Sequence, residues 1–321
     1  MKLSVIYSFY NEAANLPEVI RRTRSVLCEK LSMKSGEYEI IFINDCSKDQ
    51  SESIILQKME DSCDLKLINT TRTFGNAACI LAGFAFAKGA FVAYLDTDLQ
   101  DPPELIEKLY QTAVNEKFDI IHTRRTKRHG ETQLKMFITK IGYSILGYSM
   151  SVPLQPNVGD FKLLSNRVVQ AVLQLNEPLP FMRGMISYVG FKSKTIEYER
   201  EARYSGETHF PVLSWRVISN FVNNALVSYS DLPIYLIIYL SLFGLTMGLV
   251  IFSYALYTKF SGAAVPGSVG IILAVTTFSS LIMLSVGILG LYMSSIKKAV
   301  LRRPAYLIES VRDSQSHRNS A

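Results

Sequence analysis

The sequence predicts an α/β domain built on a mainly parallel sheet, followed by two membrane-spanning helices. Three observations carry this expectation. Short apolar runs alternate with amphipathic stretches over the first 125 residues, acidic clusters follow three of those runs, and the last third holds two long charge-free segments. Strand–helix alternation reads as a parallel sheet with helices on both faces. Ligands of such sheets collect at the carboxyl ends of the strands.

The strands come in order as LSVIYSFY (3–10), EYEIIFIND (37–45), DLKLINTT (64–71), AFVAYLDTD (90–98) and FDIIHTRR (118–125), each rich in β-branched or aromatic residues. Helix-like stretches fall between them at 13–30, 49–60, 75–88 and 102–116. Pro102 and Pro103 open the last of these. Asp101 and Glu104 sit near its start as structural acids, where the helix dipole favours negative charge.

No charged residue occurs from Leu232 to Thr258, nor from Phe260 to Ile296. Both stretches exceed the roughly 20 residues a spanning helix needs. Spans are expected at about 232–258 and 269–296, within 230–298. Lys297, Lys298, Arg302 and Arg303 follow the second span, while only Lys259 lies between the two. The positive-inside bias then places the N-terminal domain (1–209) and the tail (299–321) in the cytoplasm. The start, MKLSVIYSFYNEAANLP, reads as lacking a cleaved signal. SVRDSQSHRNSA (310–321) is expected to fray. KMFITKIGYSILGYSM (135–150) and FPVLSWRVISNFVNNALVSY (210–229) are amphipathic. On pattern alone, core helices explain them equally well; the nearby spans favour the membrane interface.

The net charge of +6 suits a protein handling phosphates or sitting near anionic lipid, and decides neither. Cys28, Cys46, Cys63 and Cys79 lack paired or metal-type spacing and read as reduced thiols. No motif supports nucleic-acid binding, and His122, His129 and His317 have no ligand spacing. RRTKRHGE (124–131) reads equally as a solvated loop or as one facing phosphate.

The chemistry lies at the strand ends, in SFYNE (8–12), NDCSKD (44–49) and DTDLQD (96–101). Carboxylates gathered at one edge repel each other, so a cation is their natural companion. Asp96 and Asp98 alternate across a strand end, and Gln100 adds a neutral oxygen. These hard ligands suit Mg²⁺ or Mn²⁺ carrying a substrate diphosphate. A lone D-x-D is usually a solvated turn; its place after a strand, beside two other acidic ends, favours the metal.

SVIYSFYNEAANLPEVI, FINDCSKDQS, AGFAFAKGAFVAYLDTDLQDPPELI, NVGDFKLLS, FMRGMISYVGFK and RYSGETHF follow in one order over roughly residues 3–215. This series resembles the polyprenyl-phosphate glycosyltransferases of glycosyltransferase family 2, which include dolichyl-phosphate mannose synthase and the bacterial two-span undecaprenyl-phosphate glucosyltransferases. The resemblance implies a GT-A type nucleotide-sugar-binding domain. It places the nucleotide at Tyr10–Glu12 and Asp45, with Asp45 facing base or ribose. It places the metal at Asp96, Asp98 and Gln100, bridging the donor diphosphate, so that Asp96 serves both. Arg125 and Arg203 would meet phosphate, and Asp160 matches the acid usually discussed as the base.

Three departures stand out. Ser8 replaces a common proline. Asn44 and Cys46 flank Asp45 where D-D-G-S is usual, and Cys is tolerable there only if the turn does not need positive φ. His209 replaces a lysine, which shifts phosphate binding toward Lys162 and Arg203.

The implied reaction moves one sugar from a nucleotide donor, with UDP-glucose favoured, to undecaprenyl or a similar polyprenyl phosphate, by in-line attack with inversion. GlcNAc, galactose, mannose or an aminosugar are alternative sugars. A processive polysaccharide synthase is a competing reading, but it usually needs a Q-x-x-R-W element and more spans. A membrane scaffold with a transferase fold is the non-enzymatic alternative, and the retention of Asp96 and Asp98 argues against it. A homo-oligomer through the spans, a flippase and a later glycosyltransferase are the partners such a product implies.

Overall fold

The structure, a computed structural model, describes residues 1–126, 158–177, 180–199, 232–261 and 267–314. The chain divides into two compact units. The described part of the first is an eight-stranded sheet with helices; that of the second is a pair of long helices.

In the sheet unit, β1 (Leu3–Phe9), β2 (Tyr38–Asn44), β3 (Leu65–Thr70) and β4 (Phe91–Asp96) run parallel, joined by α1 (Leu16–Arg24), α2 (Ser51–Glu60) and α3 (Asn76–Phe86). A π-helical turn, Ser25–Lys30, extends α1. α4 (Leu105–Glu116), β5 (Ile120–Arg125), β6 (Val158–Ser165), α5 (Asn166–Gln174), α6 (Met182–Tyr188) and β7 (Ser193–Tyr198) follow. The sheet order is β7-β5-β6-β4-β1-β2-β3-β8, with β8 at Ile308–Asp313. β6 runs antiparallel to both β4 and β5, and β8 antiparallel to β3; the remaining pairs are parallel. The four helical stretches expected between the first five strands are present, each starting one to three residues later than expected.

The central strands are apolar because both faces are covered. Val5, Tyr7, Ile40, Phe42 and Leu67 are buried, and Tyr7 stacks on Phe42 at 5.4 Å between ring centroids. α1 is amphipathic and buries Leu16, Val19, Ile20 and Thr23. α3 is apolar nearly all round, and a Cβ on its Gly83 would lie 2.7 Å from Ile6, so glycine lets the helix press onto β1.

The tail departs from the frayed end expected at 310–321 as far as Ser314; residues 315–321 lie outside the described residues. Residues 308–313 pair along β3 as β8, with Asn69 Nδ2 donating to Ser310 Oγ at 3.1 Å and Ser314 Oγ donating to the Leu65 carbonyl at 2.8 Å. This covers an edge strand that would otherwise offer unpaired backbone groups. Lys66, buried beneath it, pairs with Glu39 at 3.0 Å. All four cysteines are free thiols, as expected.

The second unit holds α7 (Leu232–Phe260) and α8 (Gly267–Val300). Windows Ile234–Tyr254 and Thr277–Val300 are long and apolar enough to cross a membrane, and 0% and 6% of them are buried. Tyr239, Phe243, Phe252 and Met283 project outward. Exposed apolar surface on this scale does not belong to a water-facing core helix. The helices touch through small residues: a Cβ on Gly248 would lie 3.6 Å from Phe278. The amphipathic stretches 135–150 and 210–229, with Trp215, lie outside the described residues, as do Arg203, His129, His209 and His317.

Candidate active site

At the carboxyl ends of β1 and β2, the loops are fastened to each other. The Asn11 backbone N–H donates to Ser47 Oγ at 3.0 Å, that of Lys48 to Asn11 Oδ1 at 2.8 Å, that of Glu12 to Ser51 Oγ at 2.9 Å, and that of Ala13 to Asp49 Oδ2 at 3.2 Å. Glu12 also accepts from Asn15 Nδ2 at 2.5 Å. Tyr10 sits in the same loop, beside the β1 end. The Asp45 carboxylate accepts the backbone N–H groups of Phe74 at 2.7 Å and Gly75 at 2.9 Å. It thereby shapes the loop entering α3, where Gly75 takes φ +93°. Both of its oxygens accept from that loop.

Cys46 has φ +62°. The turn after Asp45 therefore requires the left-handed conformation that the usual glycine reaches freely, and the proviso on this substitution fails. The cysteine is strained.

β4 delivers the acids. Asp96 at its end accepts from Asn76 Nδ2 at 3.0 Å, and Asn76 in turn accepts from Ser8. Asp98 Oδ1 accepts the Gln100 N–H at 3.1 Å, across Leu99, which is buried with φ +57°. A left-handed leucine costs about 1–2 kcal/mol and marks a turn held by its surroundings. The β4–β6 register pairs Tyr94 with Lys162 and, continued by two residues, sets Asp160 opposite Asp96. Its recess first, then the carboxylates of Asp160, Asp98 and Asp101, push Asp96 up to about 7.

On the β6 and β5 side, the acids have cationic partners. Arg183 on α6 grips Asp160, its Nε donating to Oδ1 at 2.7 Å and its Nη2 to Oδ2 at 2.8 Å. Desolvation alone would raise Asp160; the charge and hydrogen bonds of Arg183, helped by Lys162 and Arg125, outweigh it and hold the carboxyl far below its usual range. Asp101, 1% exposed, accepts from Tyr198 Oη and from Arg125 Nη2 at 3.2 Å. Asp101 thus does more than favour a helix start: it orients Arg125. Glu104 is structural, taking the Arg22 guanidinium at 2.8 and 2.5 Å. A bulge in the β5–β6 ladder follows His122, and a Cβ on Gly159 would lie 3.2 Å from Thr123 Oγ1, so the glycine of NVGDFKLLS eases the close approach of β6 to β5.

Lys162 is buried, donating to the Gly159 carbonyl at 2.7 Å; burial above all, with the nearby arginines, pushes it down to about 7 against the pull of Asp160. His122, its cross-strand partner, is neither a surface nor a satisfied histidine. It is buried, its Nδ1 has no hydrogen-bond partner among the described residues, and burial with Lys162 pushes it down to about 3.

Residues 4–173 match the family described as glycosyl transferase family 2. The chain belongs to glycosyl transferase family 2. Similar proteins run the whole length of this transferase. An uncharacterized glycosyltransferase of Synechocystis sp. is 33% identical over 97% of this chain and 96% of its own. A prophage bactoprenol glucosyl transferase homolog of Escherichia coli is 31% identical over 97% and 100%, and the SfII prophage-derived bactoprenol glucosyl transferase of Shigella flexneri 30% over 100% of both. Among solved structures, glucosyl-3-phosphoglycerate synthase of Mycobacterium tuberculosis aligns with a TM-score of 0.47 at 17% identity, over 70% of this chain and 80% of that one. So distant a likeness says nothing about substrate. The protein is a glycosyltransferase with the GT-A-like sheet its sequence predicts.

The strand-end residues of this family 2 transferase fit a divalent cation. No group of three or more His, Cys, Asp or Glu able to hold a metal exists among the described residues. Asp96, Asp98 and the Gln100 amide supply only part of a hard-oxygen set, and Asp96 meets no cationic side chain among the described residues. That incomplete set suits Mg²⁺ or Mn²⁺, which keep positions for water and phosphate. Arg183, within FMRGMISYVGFK, has no role that the sequence alone assigns; its only signal there is a cation one residue inside an apolar helix start.

Two outcomes follow from this geometry. An ordinary Asp titrates near 4, so between about pH 4 and 7 the folded chain holds a proton on Asp96 that the unfolded chain has released, and stability falls as the pH rises through that window. Mn²⁺ should therefore raise Tm by several degrees at pH 8 and hardly at all at pH 5; equal shifts contradict this. Cys46→Gly relieves about 1–2 kcal/mol of strain, less about 0.5–1 kcal/mol of glycine entropy. A higher denaturation midpoint is expected, and a loss of 1 kcal/mol or more would refute it.

Proposed function

We propose that this transferase is membrane-anchored and moves one sugar, glucose from UDP-glucose, onto a polyprenyl phosphate such as undecaprenyl phosphate, with inversion. The observation that carries this reading is the charge pattern of one sheet edge: acids at the end of β4, and arginines and a lysine across from them on β5, β6 and α6. A reaction joining two phosphate-bearing substrates needs both. The full-length similarity to proteins named bactoprenol glucosyl transferase supports glucose and the lipid acceptor. The two apolar helices, with Lys297, Lys298, Arg302 and Arg303 after the second, support an inner-membrane anchor with the catalytic domain in the cytoplasm.

The fastened loops after β1 and β2, with Tyr10–Glu12 and the segment shaped by Asp45, form the donor side. Asp96, Asp98 and Gln100 would hold Mg²⁺ or Mn²⁺. When bound, the ion neutralises charge on the donor diphosphate and on the departing nucleotide. Arg125, oriented by Asp101 and Tyr198, adds positive charge where phosphate arrives; Arg203 is assigned the same task. The acceptor phosphate is already ionised near pH 7, so little is gained from a base. A carboxylate held as acidic as Asp160 is also a poor one. Asp160 serves by alignment.

The deciding experiment incubates the purified full chain with radiolabelled nucleotide sugars, Mn²⁺ and undecaprenyl phosphate. Label from UDP-glucose should enter an organic-extractable, mild-acid-labile lipid, and Asp96→Asn should lower that rate by 10²-fold or more. A polymeric product would indicate a synthase. Label entering lipid only from another donor would overturn the choice of sugar, and no transfer from any donor would overturn the enzyme reading.

A further inference from the structure

Arg183 enters none of the steps above, yet it makes the most ordered ion pair at this edge of the sheet. We propose that Arg183 is the side chain that binds the attacking phosphate of the acceptor, and that Asp160 is a positioning residue that aims it. This rests on the transfer reaction proposed above.

The arginine has a fixed base. Met182, Met185 and Ile186 are buried and pin α6, and Arg183 leaves that helix toward β6. Two parallel hydrogen bonds, at 2.7 and 2.8 Å, fix the plane of its guanidinium as well as its place. The pair is nevertheless open, with 29% of the Arg183 side chain and 40% of that of Asp160 exposed. A guanidinium held in this way and still reachable from solvent is oriented toward something that arrives from solvent. Lys162 and Arg125 lie close to the pair. A planar guanidinium on a rigid mount, with further basic side chains beside it, is suited to phosphate.

Two phosphates reach this edge, the diphosphate of the donor and the monophosphate of the acceptor. The loops of the donor side follow β1 and β2, on one flank of β4. Arg183 and Asp160 lie on the other flank, with β6 and β5. The monophosphate is therefore the occupant, meeting the sugar from the side opposite the departing diphosphate.

The test uses the full chain in detergent, with Arg183→Lys and Arg183→Gln made so that one folded variant, judged by Tm, suffices. Loss of the fork should raise the KM for polyprenyl phosphate about 10- to 100-fold, with donor KM within twofold. Calorimetry should show a short-chain prenyl monophosphate binding at least tenfold more weakly, while UDP with Mn²⁺ binds as before. Asp160→Asn should reproduce this pattern, and the double variant Asp160→Asn/Arg183→Lys should cost little more than either single change. Weaker UDP binding in place of weaker prenyl monophosphate binding would move Arg183 to the donor and overturn the assignment, as would no change in either. An Asp160→Asn variant losing kcat 10²-fold with unchanged acceptor KM would make Asp160 a base and overturn its positioning role. A wild-type protein that binds the prenyl monophosphate through Arg183 but transfers no sugar would overturn the reaction and leave the binding assignment supported.

Discussion

Like charges crowded at the end of one strand are the constraint on which the rest of this site depends. Asp96 ends β4 opposite Asp160, with Asp98 and Asp101 in the following turn. Such a group is costly in a recess unless each member finds a partner. The fold answers acid by acid. Asp160 takes Arg183, Asp101 takes Arg125 and Tyr198, and Asp96 takes only the neutral amide of Asn76 among the described residues. The carboxylate without a cation is where an external one is most strongly favoured. The sheet thus separates a metal-seeking flank from a cation-lined flank within two strands.

The parallel half of the sheet was legible because burial on both faces demands largely apolar runs, and β1 to β4 have them. β6 was visible only as the motif NVGDFKLLS. β7 (SKTIEY) and β8 (IESVRD) are edge strands in which charged and polar residues break up the apolar ones, so no apolar run marks them. The tail looked frayed because β8 gains its order from β3, more than 230 residues away in sequence. The crowding of acids could be read because Asp96 and Asp98 share one strand end. The Asp160–Arg183 fork could not, because its members lie 23 residues apart on elements whose packing no local pattern records. The Cys46 turn was legible as a question, and only φ could answer it.

The two apolar helices fit the membrane anchor proposed above. Exposed tyrosines, phenylalanines and methionines along α7 and α8 are unsuited to water and suited to lipid. Such an anchor would confine the search for the proposed lipid phosphate to a surface, an advantage of the same kind as tethering. β8 makes the chain after α8 part of the catalytic sheet, so the sheet unit is joined to the spans on both sides in sequence.

The central claim is that the acids ending β4 hold a metal for the donor diphosphate. Calorimetric titration of UDP into the full chain, with Mn²⁺ and again with a chelator, tests it most directly. The account predicts that UDP binds at least 100-fold more weakly without the metal, and that Asp98→Asn abolishes the difference while Tm is retained. UDP binding that is as tight in chelator as in Mn²⁺ would contradict it.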